Sequence, residues 1–358
     1  MNNALRHFPL EGTPVVCELH GKGHIHKTWL AATDTGKPYI LQKINETVFT
    51  NIPQLMRNIA AVTDYLAALD DSPRHHLSLV PTHSGELFAR DTDGCWRVYL
   101  FIADSYFMER AETARDFYNA GRAFGGFQQA LRDFPAEMLT ETIPRFHDTP
   151  HRFEQLDQAI QEDSFGRVKL VRPEIDFALS RRQDTGALMD LLHRGALPLR
   201  VTHNDTKINN VLFDKKTREP LCVIDLDTVM PGLAAFDFGD AIRFGASTAA
   251  EDERDLDKVL LSLDYYKAYA EGFLGACGMG MTDTEIDSLA VGAKMMTLEC
   301  GTRFLTDYLS GDTYFSTSWD GQNLVRARTQ FKLVTQMETM QNTMADITRE
   351  TAAALRKC

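Results

Sequence analysis

The stretch that decides the fold is residues 203–213, which read HNDTKINNVLF. In this stretch an aspartate follows the histidine at a spacing of two, and an asparagine follows the aspartate at a spacing of five; these are His203, Asp205 and Asn210. The short run LRVT at 199–202, which is apolar or β-branched apart from Arg200, comes directly before this stretch, and the last three residues of the stretch are also apolar. Both runs are typical of short strands, so the polar residues between them are predicted to form a loop with a strand at each end.

The His-x-Asp-x-x-x-x-Asn spacing is that of kinase catalytic loops. Phosphoryl transfer needs few protein groups: one to orient the acceptor hydroxyl, oxygen ligands for Mg²⁺, and cations for the phosphates. Asp205 would accept the proton of the acceptor hydroxyl, and Asn210 would give a neutral oxygen to the magnesium ion. Lys207 is a candidate contact of the transferred phosphate, with a solvated lysine as the equal alternative. The pattern alone also occurs by chance, so its surroundings must support it.

A hairpin is predicted directly after the loop and supplies a second carboxylate. Residues 211–214 and 221–225 read as two strands around a polar turn, so the chain returns beside the loop. Asp225, at the end of the returning strand, is expected to bind Mg²⁺, and Asp227, with the same side-chain parity, is expected to assist. Asp237 begins an Asp-Phe-Gly string that lies too far beyond the hairpin to be the metal site, and it is predicted to brace the catalytic loop.

The chain divides into a strand-rich part and a helical part. Apolar and β-branched runs between turn residues predict strands, and apolar positions at helical spacing predict helices. Strands are predicted at residues 15–20, 25–32, 39–42 and 96–102, with another before the turn at 91–94, and helices at 52–69, 111–134, 154–160, 256–274, 283–309 and 324–355. We therefore predict an α+β, bilobal, protein-kinase-like fold, with a small antiparallel-sheet, nucleotide-binding lobe at residues 1–103 and a larger, mostly helical, catalytic lobe at residues 104–358.

Composition and charge are those of a soluble globular protein. Apolar residues make up 44% and charged residues 25% of the 358 positions, which is ordinary for this class. The net charge of −12 argues against DNA or RNA as the main partner, because phosphate backbones require a basic surface. We also expect no membrane partner, since no apolar run approaches a membrane span and the first residues do not resemble a signal peptide. The six cysteines are scattered without a Cys-x-x-Cys pair, which favours reduced thiols and a cytoplasmic location.

Longer strings around these motifs carry a family resemblance. They read FHDTPHRF (146–153), VTHNDTK (201–207), IDLDT (224–228), DFGD (237–240) and IRFGAST (242–248). With these strings the chain resembles the aminoglycoside phosphotransferase and choline kinase superfamily, and within it the bacterial N-acetylhexosamine 1-kinases. The resemblance implies that ATP, with Mg²⁺, phosphorylates the anomeric hydroxyl of N-acetylglucosamine or N-acetylgalactosamine.

The nucleotide side departs partly from the kinase pattern. Gly21, Gly23 and His24 would form the glycine loop over the nucleotide phosphates, but a single Gly-x-Gly also suits a plain hairpin. The third strand places Gln42 where kinases carry a phosphate-binding lysine. The neighbouring Lys43 is predicted to point to the opposite face, because side chains alternate along a strand.

Two further features concern the lysine partner and the adenine. The helix after the third strand has no clear glutamate to pair with such a lysine and offers only Gln54 and Asp64. The kinase lysine–glutamate pair is therefore in doubt. Adenine is expected to contact backbone groups at the end of the strand at 96–102, around Phe101 and Ile102.

The acceptor side is predicted from the resemblance and from the chemistry of an uncharged sugar, which is held by planar polar groups and an aromatic wall. The resemblance assigns Arg303 to the sugar pocket, with a surface ion pair to Glu299 or Asp307 as the alternative. A histidine satisfied within a turn is commoner than a ligand, which weighs against His147. The candidate sugar contacts are Asp205, Thr228, Arg303, Tyr314 and His147.

Two other functions stay open on the sequence alone. A kinase of the same superfamily that acts on choline, homoserine or an aminoglycoside would need carboxylates or an aromatic cage for a cationic acceptor. The positive charge of Arg303 argues against that. A nucleotide-binding pseudokinase would fit the missing lysine–glutamate pair, but Asp205, Asn210 and Asp225 are all present. The preferred sugar epimer and the oligomeric state also stay open.

Overall fold

The computed structural model describes residues 3–21 and 25–357. The first part of the chain forms an antiparallel sheet of five strands, which are β1 (Pro14–Leu19), β2 (Lys27–Thr33), β3 (Pro38–Lys43), β4 (Ala89–Asp91) and β5 (Gly94–Leu100). Their order in the sheet is β1-β2-β3-β5-β4. Gly36, between β2 and β3, has a φ of 81°, a value that glycine adopts without strain. The antiparallel sheet predicted for the N-terminal lobe is confirmed.

Helix α1 (Ile52–Leu69) follows the third strand and packs against both the sheet and a later part of the chain. Asn51 caps it by accepting a hydrogen bond from the backbone N–H of Gln54 at 3.2 Å, as asparagine commonly does at helix N-termini. The apolar stripe of α1 is buried in a hydrophobic cluster that contains β5 residues as well as Leu226 and Val229. This cluster therefore holds the sheet against the chain segment that follows the hairpin predicted at residues 211–225.

The C-terminal lobe is mostly helical and carries two small sheets. Its strands are β6 (Ser105–Tyr106), β7 (Arg200–Thr202), β8 (Val211–Asp214), β9 (Pro220–Val223) and β10 (Met230–Gly232). Its helices are α2 (Ala114–Ala130), α3 (Thr149–Glu162), α4 (Arg172–Leu179), α5 (Met189–His193), α6 (Ala234–Gly245), α7 (Leu263–Cys277), α8 (Asp283–Leu309) and α9 (Gln322–Leu355). β6, β8 and β9 form one antiparallel sheet, and β7 pairs with β10. Over residues 3–21 and 25–357, no helix is both long and apolar enough to cross a membrane.

Two glycines let helix α6 approach helix α8 closely. A Cβ on Gly239 of α6 would lie 2.4 Å from the backbone oxygen of Gly292 on α8, and a Cβ on Gly292 would lie 2.4 Å from the backbone oxygen of Ala235. A side chain at either position would push the helices apart, because the interior is close-packed. The contact fixes the position of α6, which carries Asp237 and Asp240.

The predicted and observed elements agree closely, with a few differences. Helices α1 and α8 begin and end where the sequence predicts, and β8 and β9 form the expected hairpin. The helix predicted at 256–274 begins only at Leu263, because Ser262 caps it by accepting the N–H of Tyr265 at 3.3 Å. A short 3₁₀ helix, Leu256–Lys258, precedes it. Helices α4, α5 and α6 have no counterpart among the predicted elements.

Candidate active site

A cleft of about 800 Å³ lies between the sheet and the helical lobe. It brings together most residues that the sequence predicts for the site. The predicted residues that line it are Gly21, Gln42, Phe101, Ile102, His147, Asp205, Lys207, Asn210, Asp225, Thr228, Arg303 and Tyr314. Gly23 and His24 lie outside the described residues. Asp227 is buried, with 3% of its surface exposed.

The catalytic loop, residues 203–210, runs from β7 to β8 and is held by buried hydrogen bonds. His203 presents Nε2 to the backbone oxygen of Ile224 at 2.9 Å and Nδ1 to the backbone N–H of Asp205 at 3.3 Å. These partners assign the tautomer that carries its proton on Nε2. His203 therefore ties the loop to the end of the hairpin, next to Asp225.

Two aspartates of helix α6 hold the backbone of the loop. Asp237 accepts the N–H of His203 at 3.0 Å and that of Asn204 at 2.7 Å, and Asp240 accepts the N–H of Thr206 at 2.7 Å. Asn204 has a φ of 65°, in the left-handed region that asparagine tolerates better than most residues. The bracing role predicted for Asp237 is confirmed by these contacts.

Asp205 is positioned by two other polar side chains of the loop, Lys207 and Asn210. Lys207 Nζ lies 2.8 Å from Asp205 Oδ1, and Asn210 Nδ2 donates to the backbone oxygen of Asp205 at 2.9 Å and to its Oδ2 at 3.2 Å. Burial alone would raise the pKa of Asp205, but the Lys207 ammonium outweighs burial and the pKa falls to about 2. The carboxylate is therefore ionised at neutral pH and can accept a hydrogen bond from an acceptor hydroxyl.

Asp225 lies just beyond strand β9, in a left-handed conformation with a φ of 61°. Burial raises the pKa of its carboxyl to about 7, and the negative charges of Asp227 and Asp205 act in the same direction. A cation beside this carboxylate would relieve both effects. Asn210 uses its Nδ2 for Asp205, which leaves its Oδ1 for a metal ion. Carboxylate and amide oxygens are the donors that Mg²⁺ prefers, so the two side chains fit such an ion.

Asn210 and Asp225 would supply only part of a coordination shell. Within residues 3–21 and 25–357, no group of three or more His, Cys, Asp or Glu side chains is arranged to hold a metal ion. In nucleotide sites Mg²⁺ is commonly bound by one or two protein groups together with waters and substrate phosphates. The donor set therefore fits a cation that arrives with a nucleotide.

Asp227, unlike Asp225, has both carboxylate oxygens bound by protein groups. Its two oxygens bind the guanidinium of Arg97, at 2.6 Å from Nη1 and 2.5 Å from Nη2, and His26 Nε2 lies 3.3 Å from Oδ1. Burial alone would raise the pKa of Asp227, but Arg97 and His26 lower it well below its usual range. Because both oxygens are engaged with protein cations, a structural role for Asp227 is favoured, and its assistance to the metal stays a prediction.

Arg97 lines the cleft but is not among the site residues predicted from the sequence. It lies on β5 directly opposite Gln42 of β3, and its Nε donates to Gln42 Oε1 at 2.9 Å. Lys43 has its ammonium 5.8 Å from the ring centre of Trp96. A buried cation thus lies on the strand next to the third strand, opposite the position where kinases carry a lysine. A signal was present, since a lone charge inside the apolar run CWRVYL requires a buried partner.

The sheet side of the cleft suits a flat, apolar ring. Ile40 of β3 faces the cleft together with Leu212 of β8 and Ile224, and Phe101 and Ile102 follow directly after β5. Small-molecule sites are commonly lined in this way, with a few polar groups at the edge. The adenine position around Phe101 and Ile102 is compatible with this lining and stays a prediction.

The α8 side of the cleft contains Arg303 among aromatic rings. The carbon of its guanidinium lies 4.8 Å from the ring centre of Phe146, 5.7 Å from that of Tyr314 and 5.3 Å from that of Phe315. Such cation–π contacts hold a guanidinium by its faces. They leave the N–H groups at its edge for a hydrogen-bond acceptor.

The two carboxylates that offered an alternative partner for Arg303 are engaged elsewhere. Glu299 accepts a hydrogen bond from Nδ1 of His147 at 2.8 Å. Asp307 accepts the backbone N–H groups of residues 313–315, at distances of 2.9, 2.8 and 2.9 Å. These contacts favour the interpretation of Arg303 as a cleft residue over that of a surface ion pair.

His147 and Thr228 line the cleft, but their polar atoms hold the catalytic loop. His147 Nε2 lies 3.1 Å from the backbone oxygen of Asn204, and Thr228 Oγ1 donates to the backbone oxygen of His203 at 2.7 Å. The structure therefore gives both residues a supporting contact. Their contact with a sugar stays a prediction.

Comparison with known proteins identifies relatives of this architecture. A family model described as the phosphotransferase enzyme family matches residues 16–271. The choline kinase from Cryptosporidium parvum Iowa II is similar with a TM-score of 0.59 at 13% identity, covering 95% of each chain. A microcompartment-associated aminopropanol kinase is similar with a TM-score of 0.57 at 15% identity, covering 96% of this chain and 97% of that chain. An amicoumacin kinase, solved with AMP-PNP and Ca²⁺, is similar with a TM-score of 0.57 at 12% identity, covering 95% of this chain and 91% of that chain.

These similarities settle the architecture of the chain. At such low identities, likeness to solved structures shows a shared fold. The predicted α+β, protein-kinase-like fold is confirmed, with an antiparallel N-terminal sheet and a helical C-terminal part. The predicted superfamily is confirmed as well, whereas the N-acetylhexosamine specificity stays a prediction.

Proposed function

The chain belongs to the phosphotransferase enzyme family, and on that premise we propose that it transfers the γ-phosphoryl group of ATP to the anomeric hydroxyl of an N-acetylhexosamine. The observation that carries the proposal is one cleft that holds both an ionised Asp205 and an Arg303 set among aromatic rings. The carboxylate suits transfer to a hydroxyl, and the guanidinium suits a neutral sugar that carries a carbonyl group.

Asp205 would hydrogen-bond the anomeric hydroxyl and aim its oxygen at the γ-phosphorus. As the new oxygen–phosphorus bond forms, the bond from the γ-phosphorus to the bridging oxygen of ADP breaks, and the hydroxyl proton passes to Asp205. In a loose transition state this proton leaves late. A carboxylate with a pKa of about 2 therefore acts mainly by orienting the hydroxyl. Lys207, 2.8 Å from Asp205 Oδ1, would lie close to the transferred group.

Asn210 and Asp225 would hold the Mg²⁺ that arrives with ATP. When bound, this ion neutralises charge on the phosphate oxygens. His203 supports both ligands, because it links the catalytic loop to the end of the hairpin. With the loop carboxylate and both metal ligands in one cleft, we favour an active enzyme over a nucleotide-binding pseudokinase.

The acceptor would lie between Asp205 and the aromatic rings around Arg303. The edge of the guanidinium would donate to a sugar hydroxyl or to the carbonyl oxygen of the N-acetyl group. Tyr314 and Phe146 would supply the aromatic wall against which a sugar ring packs. We assign the preference for an N-acetyl group over a bare hydroxyl to this part of the cleft.

A kinase of a small amino alcohol is the second candidate, because two similar structures are described as kinases of choline and aminopropanol. A cationic acceptor needs unpaired carboxylates or an aromatic cage. Two of the cleft carboxylates, Glu251 and Glu299, are paired with Arg243 and His147, and Arg303 adds a positive charge. We therefore favour a neutral acceptor.

We assign nucleotide binding to residues 1–103 and catalysis and sugar binding to residues 104–358. Strands β1 to β5 lie in the first segment, and the catalytic loop and Arg303 lie in the second. We also propose a cytoplasmic location, where ATP is abundant and where buried thiols such as Cys222 and Cys277 stay reduced.

The test is an ADP-release assay with the full chain, ATP and Mg²⁺. The acceptors are N-acetylglucosamine, N-acetylgalactosamine, glucose, galactose, choline, homoserine and an aminoglycoside, and Asp205→Asn is the control for contaminating kinases. We expect turnover with the N-acetyl sugars, much less with the plain hexoses and none with choline. Turnover with choline alone would replace the sugar by an amino alcohol, and ADP release that no acceptor stimulates would refute the proposal.

A further inference from the structure

We propose that Arg97 is a positioning residue for the metal-binding carboxylate of Asp225, and that it acts through Asp227 across the cleft between the two lobes. This role depends on the proposed function, in which Asp225 binds the cation of the nucleotide. In protein kinases the lysine of the third strand pairs with a glutamate of the same lobe. Here the arginine of β5 pairs instead with the segment that carries the metal ligand.

The guanidinium of Arg97 is fixed from the side of the sheet. Its Nε donates to Gln42 Oε1 at 2.9 Å, and Gln42 Nε2 donates in turn to Thr28 Oγ1 at 3.0 Å. The side chain is 1% exposed. Because β2, β3 and β5 all take part, the position of the sheet determines the position of this guanidinium. Its remaining fork, Nη1 and Nη2, binds both oxygens of Asp227.

Asp227 and Asp225 belong to one tight turn. Asp225 is the N-cap residue of the 3₁₀ helix Leu226–Thr228 and directly precedes it. Asp225 has a φ of 61°, and this left-handed conformation sets the direction in which its carboxylate leaves the chain. The backbone oxygen of Asp227 also accepts the hydroxyl of Thr142 at 3.0 Å. A displacement of the Asp227 side chain would therefore turn the backbone that aims Asp225 at the cleft.

Arg97 also separates the roles of two neighbouring carboxylates. Like charges so close together repel each other when both are buried. The bidentate Arg97 fork neutralises Asp227 and holds both of its oxygens, so Asp225 is left as the carboxylate that faces the cleft. If Arg97 is removed, Asp227 loses its bidentate partner and keeps only the His26 contact at 3.3 Å, so the geometry of the turn is held less firmly from the sheet.

The test compares Arg97→Met and Arg97→Lys with Lys43→Met, which removes a cation from the neighbouring strand. Binding of Mn²⁺ in the presence of AMP-PNP is measured by electron paramagnetic resonance, and the melting temperature is measured in EDTA. We expect Arg97→Met to weaken Mn²⁺ binding by about tenfold or more, as is typical for residues that orient metal ligands. The Mn²⁺ affinity of Arg97→Lys should lie between those of the wild type and Arg97→Met, because lysine keeps the charge but loses the planar fork. Lys43→Met should bind Mn²⁺ like the wild type.

Unchanged Mn²⁺ binding by folded Arg97→Met would overturn the proposal. Tighter binding would also overturn it, because it would indicate that Asp227, once released from Arg97, becomes a metal ligand. A lower melting temperature with unchanged Mn²⁺ affinity would also overturn it and leave a purely structural ion pair. If Arg97→Met does not fold, Arg97→Lys decides by the same criterion. A wild type that binds Mn²⁺ with AMP-PNP but phosphorylates no sugar refutes the proposed acceptor alone, whereas a wild type that binds no Mn²⁺ overturns both.

Discussion

The catalytic loop and the sheet face each other across the cleft, but they supply polar groups in different ways. In the loop, Asp205 contacts Lys207 and Asn210, which are two and five positions away. In the sheet, Arg97 contacts Asp227, which is 130 positions away. A constellation that is local in sequence can be recognised as a motif, whereas a long-range ion pair cannot, because its partner depends on how the lobes pack.

The same contrast separates two carboxylates of one turn. Burial and its acidic neighbours raise the pKa of Asp225 to about 7, whereas Arg97 and His26 overcome burial and lower the pKa of Asp227 well below its usual range. Strand parity predicts the same orientation for both residues, but their three-dimensional surroundings give them opposite properties. Electrostatic role thus follows from the opposing lobe more than from position along the chain.

The largest effect is expected on the free energy of unfolding when the long-range ion pair between Arg97 and Asp227 is removed. Asp227→Ala leaves Arg97 buried without its carboxylate, and loss of one partner of a buried pair typically lowers the free energy of unfolding by about 3–5 kcal/mol. The control is Asp287→Ala, which breaks an ion pair to Arg349 whose side chains are 52% and 54% exposed. That loss should be much smaller, because solvent screens an exposed ion pair. Urea denaturation measures both, and equal losses would show that the Arg97 pair contributes no more than a surface contact.

The next largest effect is expected on turnover, when Asp205 of the catalytic loop is changed. Asp205→Asn removes the carboxylate that orients the acceptor hydroxyl, so turnover should fall by about a hundredfold or more, which is the usual scale for a general base. Binding of AMP-PNP and sugar should be retained, since the loop backbone is held by Asp237 and Asp240. Steady-state kinetics and calorimetry check the two parts. Near-normal turnover in the purified variant would remove Asp205 from the mechanism.

A smaller effect is expected at the acceptor side. Arg303→Ala should raise the sugar KM more than the ATP KM, because a lost charged hydrogen bond costs about 1.5–3 kcal/mol. Arg349→Ala, on the surface, is the matched control and should change neither constant. A folded Arg303→Ala enzyme with both KM values unchanged would show that the guanidinium does not contact the sugar.

The smallest effect is an increase in stability, whereas the loss of Asp227 is expected to lower stability. The folded-state pKa of Asp225 lies above its ordinary value of 3.8, so ionising this group costs folding free energy once the pH exceeds that value, and the cost is complete above about 7. Asp225→Asn should therefore stabilise the protein in EDTA at pH 8, by about 1 kcal/mol or more. The gain should shrink as the pH falls towards 4. Denaturation at both pH values checks this, and a destabilised Asp225→Asn at pH 8 would contradict the assigned environment.

Much of the fold could be predicted because its signals are local. Helix α1 shows apolar residues at helical spacing, and both ends of α8 match the prediction. Helix α6 escaped prediction because it is only 12 residues long and contains Gly239 and Gly245, a residue type that disfavours helices. Its acidic residues, Asp237 and Asp240, are buried because they accept N–H groups of a distant loop. No pattern within the helix itself encodes that contact.

The candidate site divides in the same way. Asp205, Asn210 and Asp225 follow from spacing and from one hairpin, and the structure brings them into one cleft. The partner of Asp227 could not be predicted, because it depends on the register that places Arg97 opposite Gln42 and on the docking of the sheet. The engagement of His147 with Glu299 likewise joins segments far apart in sequence.

The position of the phosphate on the product tests the central claim most directly. A sugar 1-phosphate cannot open its ring to an aldehyde and loses reducing power, whereas a 6-phosphate keeps it. The full chain is incubated with ATP, Mg²⁺ and N-acetylglucosamine or N-acetylgalactosamine, and the product is examined by phosphorus NMR and a reducing-sugar assay. We predict a non-reducing product whose phosphorus couples to the anomeric proton. A reducing, phosphorylated product would contradict transfer to the anomeric oxygen.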